Sequence, residues 1–134
     1  MKGLIPKLML EIIFESFPVS ISVLDVNDKV IGWNHHKTGF FKRPESVLGK
    51  DVRNCHPKKS LDKEEKVLSE MKQGTRNKTR FWIDNQLDYE KQPKKILIEY
   101  YAIRDIDGNY VGCVEMTQDI SDILRIEGEK HLLD

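Results

Sequence analysis

Ile96-Leu97-Ile98-Glu99-Tyr100-Tyr101-Ala102-Ile103-Arg104-Asp105-Ile106-Asp107-Gly108-Asn109-Tyr110-Val111-Gly112-Cys113-Val114-Glu115-Met116-Thr117-Gln118-Asp119-Ile120-Ser121 is the stretch whose reading decides the fold. Two apolar runs, Ile96 to Ile103 and Tyr110 to Met116, flank a short polar segment. Asp, Gly and Asn accept the positive φ angles of a tight turn, so the runs predict an antiparallel hairpin turning at Asp107-Gly108. Side chains alternate along a strand, which puts Ile96, Ile98, Tyr100 and Ala102 on one face. Asp119-Ile120-Ser121 then reads as the exit into an amphipathic helix.

Working outward, Pro18 to Leu24 is a β-prone run, Asp25 to Asp28 a turn, and Lys29 to Asn34 a second short strand. Pro44 to Lys50 predicts a short helix and a glycine turn. A longer helix follows, capped by the Ser60 hydroxyl and ended by Gly74. Leu61, Val67, Leu68 and Met71 form its apolar side, and Lys63, Glu64, Glu65 and Lys66 read as solvated. Thr79 to Ile83 is a strand, and Asn85 to Lys95, with Pro93, a long hairpin loop. At the front, Ile5, Leu8, Met9, Ile12, Ile13 and Phe17 recur at helical spacing up to Pro18. That stripe has two readings, packing on the chain's own sheet or forming a homodimer. The tail from Ser121 to Leu133 predicts a charged helix with a modest stripe of Ile123, Leu124 and Leu132.

The closing hairpin, the early strand pair ending in Trp33-Asn34, the Pro44–Lys50 segment and His56-Pro57 before the long helix occur in an order that resembles a PAS domain over about residues 14 to 121. Asn54-Cys55-His56-Pro57, Phe81-Trp82-Ile83 and Glu115 to Ile120 are similar to a bacterial and archaeal PAS subfamily found at the end of proteins of unknown function. The resemblance implies an α+β fold: a five-stranded antiparallel sheet, helices on one face, and flanking helices at both ends. It implies a flanking helix over 1–17, a PAS core over 18–121 and a C-terminal helix over 122–134.

Composition narrows the function. The 134 residues suit one domain with a real core. Charged residues make up 33% and the formal net charge is zero, so nothing favours nucleic acid. Lys7 and Glu11 interrupt the first apolar stretch, which argues against a signal peptide or membrane span. Two cysteines, Cys55 and Cys113, make no disulfide framework, and a cytoplasmic location is expected.

The resemblance places a ligand cavity between sheet and helices, bordered by His56. An imidazole ligates iron, so His56 is the candidate axial ligand of haem b; the bland alternative is a residue that only fixes the turn. The best-known haem-binding PAS domains carry their ligand within the long helix, and here that helix has no histidine. His35 and His36 are adjacent and diverge on any regular element, although either is available as a second axial ligand. Asn54-Cys55 echoes the flavin-bonding cysteine of the blue-light-sensing class. The continuation His56-Pro57-Lys58 does not, and Gln118 is one residue out of register, which turns it to the other face. Flavin is therefore not expected.

The PAS register turns Ile98 and Tyr100 inward, together with Cys113, Glu115 and Thr117. Apolar alternation reads β-strand 110–116 the other way, with Val114 and Met116 in the core and Glu115 in water. In the first case Glu115 and Thr117 belong to the ligand site with Cys55 and His56. No nucleophile–base pair, glycine-rich phosphate loop or zinc spacing is present in the sequence. The expected function is a ligand-binding sensor module that takes haem b or another small molecule. Its rivals are a ligand-free dimerisation module and a small haem-dependent enzyme.

Overall fold

The computed structural model describes residues 1–35, 44–55, 58–85 and 93–134. Helix α1 (Lys7–Ser16) leads into β1 (Ser20–Asp25) and β2 (Val30–Trp33). Single 3-10 turns at Glu45–Val47, Val52–Cys55 and Lys58–Ser60 precede α2 (Leu61–Gln73). Then come β3 (Lys78–Asn85), β4 (Lys94–Arg104) and β5 (Tyr110–Asp119). The strands form one antiparallel sheet in the order β2-β1-β5-β4-β3. The α+β fold with a five-stranded sheet and helices is as expected.

The hairpin turns where turn chemistry put it. Gly108 has φ +84°, its N–H donates to the Asp105 carbonyl at 3.0 Å, and the Asp105 carboxylate accepts from the Asp107 and Asn109 N–H groups. Gly112 has a different reason to be glycine. A Cβ there would run into the Leu24 carbonyl oxygen, so the close approach of β1 to β5 at Asp25 and Gly112 depends on its absence.

Asn34 ties the front of the chain together. Its side-chain oxygen accepts from the Ile21 N–H at 2.8 Å, and its amide donates to the carbonyls of Val19 at 2.8 Å and Phe14 at 3.2 Å. Phe14 belongs to α1, so this buried amide fastens the helix to the sheet edge. Asp28, also buried, turns the β1–β2 corner at φ +63° and takes Lys72 Nζ at 2.7 Å and Arg53 Nη2 at 3.2 Å.

Two expectations are corrected. The C-terminal helix over 122–134 does not form: the tail holds one 3-10 turn, Ile123–Arg125, and Gly128 has φ +63°. Its apolar residues Ile123, Leu124 and Leu132 are exposed, and a short helix with no surface to bury its stripe is marginal in water. Ser60 occupies the cap position of α2, but its side chain makes no cap hydrogen bond. The preceding 3-10 turn runs straight into the helix and leaves Ser60 in a helical conformation, not the extended one that capping needs. Gly74 does end α2, at φ +82°. The stripe of α1 is divided between its two readings, with Ile5 and Ile13 half-buried. Leu10 and Phe14 line a groove with Val23, Ile31 and Trp33, whereas Leu8, Met9 and Ile12 stay exposed. The expected loop between the third and fourth strands falls mostly on 86–92, outside the described residues.

Candidate functional site

The inner face of the sheet is set by register. Ala102, Tyr100 and Ile98 on β4 pair with Cys113, Glu115 and Thr117 on β5, which pair in turn with Leu24, Ser22 and Ser20 on β1. Helix α2 covers this face: Met71 Sδ lies 3.9 Å from Cys113 Sγ, and Leu68 and Met71 join Leu24, Ile96, Ile98 and Tyr100 in the core. The Arg104 guanidinium holds the end of α2 by donating to the Met71 carbonyl at 2.7 Å.

The question of the last strand is therefore resolved toward the PAS register. Glu115 is 8% exposed and Thr117 1%, while Val114 and Met116 are only half-buried on the outer face. Alternation failed because it presumes an apolar inner face. This one is apolar along β4 and polar along β1 and β5, where Ser20, Ser22, Glu115 and Thr117 are all buried. The Thr117 Oγ1 is buried and has no hydrogen-bond partner.

Helix α2 adds a residue that the sequence reading assigned to solvent. Glu64 is buried, four and seven residues before Leu68 and Met71, so it shares their inward stripe. Burial pushes its carboxyl up to about 7, the Glu115 charge adding to the effect and Arg53 opposing it. The outer face shows the contrast. Burial likewise pushes Glu99 up, but hydrogen bonds from Tyr101, Arg80 and Lys78 outweigh it and hold the carboxyl below its usual range. On the inner face burial thus favours the protonated form of Glu64, whereas on the outer face the cations and the Tyr101 hydroxyl favour the charged form of Glu99.

Of the expected site residues, Ile98, Tyr100, Glu115 and Thr117 come together on the inner face. Cys55 ends the Val52–Cys55 turn near this layer in sequence, but its side chain, His56 and His36 lie outside the described residues. Cys113 is a core residue whose thiol burial pushes up to about 12, so it is no nucleophile at neutral pH. Among the described residues no cluster of three or more His, Cys, Asp or Glu side chains is placed to hold a metal ion. Ile98 and Tyr100 would suit the flank of a porphyrin; the carboxylates of Glu64 and Glu115 do not complement its apolar plane or its propionates.

A five-stranded antiparallel sheet in this order, with a long helix across its inner face, defines a small sensor-type α+β domain. The chain belongs to the PAS domain family, which matches residues 10–121. PAS domains are generally sensor and signalling modules. Among solved structures, the chain is similar to a C-terminal domain of a Streptococcus mutans protein, at 28% identity and a TM-score of 0.81 over 95% of this chain and 94% of that one. It is also similar to a PAS domain from Colwellia psychrerythraea, at 19% identity and a TM-score of 0.62 over 85% of this chain and 96% of that one. The PAS domain of Bordetella pertussis BvgS is 18% identical, with a TM-score of 0.63 over 87% of this chain and 90% of that one. No curated protein matches the chain. Among the described residues no helix is long and apolar enough to cross a membrane.

Proposed function

We propose that this PAS domain is a ligand-binding sensor that takes a small molecule between the inner face of β1, β4 and β5 and helix α2, and that it works as a homodimer in the cytoplasm. The observation that carries the ligand reading is the buried polar strip of Ser20, Ser22, Glu115 and Thr117. Buried polar groups destabilise a fold unless they are hydrogen-bonded, and the Thr117 Oγ1 in this strip has no partner, so the strip beside an apolar wall reads as the complement of a polar ligand. The dimer reading rests on Leu8, Met9 and Ile12, which α1 presents to solvent. The free, buried Cys113 suits a reducing compartment.

Haem b is the second reading for the same site, carried by the His56-Pro57 sequence ahead of α2 and by the apolar β4 wall. The visible spectrum separates the two. If haem is the ligand, offered haemin gives a Soret band that His56→Ala abolishes or strongly shifts, with the circular dichroism unchanged. Wild-type protein that takes up no haem sinks the haem reading. A ligand-free module is the outcome if neither haemin nor any small-molecule probe perturbs Glu115 and Thr117 in an NMR titration. Turnover of peroxide by a haem-loaded form would move the protein to the enzymes.

A further inference from the structure

We infer that the homodimer seam is antiparallel: α1 of a second copy lies along α1 and over the groove beside it, so that Lys7 of each copy meets Glu15 of the partner subunit. The inference rests on the homodimer reading and gives that dimer its geometry. Helix α1 has no buried residue, and a lone helix of 10 residues is marginal in water. Leu10 and Phe14 line its groove against the sheet, yet Ile31 in the same groove stays 54% exposed. The helix is about 15 Å long, so its stripe alone falls short of the roughly 800 Å² per partner that stable interfaces bury. The seam therefore takes in the groove as well. Lys7, Glu11 and Glu15 line that groove too. At about 100° per residue they fall between it and the open stripe of Leu8 and Ile12.

Charge chooses the direction. Lys7, Glu11 and Glu15 run plus, minus, minus along one flank of the stripe. In an antiparallel pair of like helices this flank of each copy faces the same flank of the other, with the ends exchanged. Lys7 then meets Glu15 of the partner subunit at both ends of the seam. In a parallel pair the flank faces the opposite one, Met9, Ile13 and Ser16, which carries no charge. Neither Lys7 nor Glu15 has an ion pair with a described residue of its own chain. Glu15 Oε2 accepts from the His35 N–H at 2.8 Å, which holds the carboxylate in place and leaves Oε1 for the lysine. Glu11 falls at the centre, where the carboxylates of the two copies approach each other. That is one unfavourable pair against two favourable ones.

The test is the dimer dissociation constant of the full chain, measured by sedimentation over a dilution series. Lys7→Glu and Glu15→Lys should each weaken the dimer several-fold, and the two together should restore it. Restoration separates the ion pair from the bond between Glu15 and His35, which no change at position 7 repairs. Glu11→Gln removes the central repulsion and should tighten the dimer by about twofold or more. Carbodiimide joins an amine to a carboxylate only where the two touch, so the wild type should give a covalent dimer linked through Lys7 and Glu15. A dimer that ignores both single changes, stays weak in the double variant, or is linked at other residues overturns the antiparallel seam and leaves the homodimer standing. A wild-type chain that is monomeric at every concentration sinks the seam and the homodimer together.

Discussion

Met71 Sδ sits 3.9 Å from Cys113 Sγ, and this contact fixes which way α2 faces. With Met71 seated on the inner face, Glu64, seven residues earlier on the same helical stripe, must also turn inward. With Cys113 inward, Glu115 and Thr117 follow by the strand's period of two. One sulfur–sulfur contact thus brings together an acidic residue from each layer.

The first prediction is a pH dependence of stability. Burial raises the Glu64 carboxyl to about 7 from a model-compound value of 4.5, so the folded state holds this proton more tightly than the unfolded chain does. The stabilisation is full below the unfolded value and is lost as pH rises through the folded one, the reverse of a salt-bridged carboxylate. Its size is on the order of 3 kcal/mol. Glu115 and Cys113 face Glu64 from β5, Arg53 and Asp28 from the segments beside α2. Glu64→Gln mimics the protonated acid, so denaturant unfolding of the variant should fall less between about pH 5 and 7 than that of the wild type. A stability difference between the two that does not change with pH would show that Glu64 titrates normally.

Gly108→Val should destabilise by about 1 kcal/mol or more, because a β-branched residue is strained at positive φ. A Cβ at Gly108 meets nothing within 4 Å, so crowding adds nothing and the whole loss is backbone strain. Thermal unfolding checks it: a melting temperature equal to the wild type's would place the turn at other residues.

What could be read in the sequence was whatever local chemistry decides. The Asp107-Gly108 turn, the Gly74 stop and the order of the strands depend on backbone preferences of the residues themselves. The tail failed for the opposite reason: its pattern allows a helix, but no surface lies beneath Ile123, Leu124 and Leu132. The site was half legible. Family register, not apolar alternation, gave the face of Glu115 and Thr117, since a polar inner face defeats a pattern that assumes an oily one. Glu64 was hidden in the charged run Lys63 to Lys66, although its spacing from Leu68 and Met71 was a signal available in the sequence.

Asn34→Ala should cost about 2 kcal/mol. The change strands the half-buried Ile21 N–H and the buried Val19 carbonyl, each of which now bonds the Asn34 amide at 2.8 Å. It also frees α1, which the same amide holds through Phe14. Hydrogen exchange should accordingly quicken at Ile21 and throughout α1 before the rest of the sheet. Uniform exchange rates across the chain in this variant would mean that α1 is held by its groove contacts alone.

The last prediction is the dimer seam. Leu8, Met9 and Ile12 are exposed by 68%, 52% and 57% on a helix whose other side already lines a groove with Val23, Ile31 and Trp33. An apolar patch of this kind in water marks an interaction surface, and a second copy can cover it isologously. Truncation to Ser16 tests this, but it also removes the Phe14 carbonyl that Asn34 holds and uncovers the groove. The cleaner variant is Leu8→Glu with Ile12→Glu, which charges the outward side and leaves Leu10 and Phe14 in place. Light scattering of the full chain should give twice the chain mass, and both the truncated and the doubly charged forms should give the monomer. If the doubly charged form keeps the wild-type mass per particle, α1 is not the seam, and the half-buried outer-face residues Val114 and Met116 become the surface to charge next.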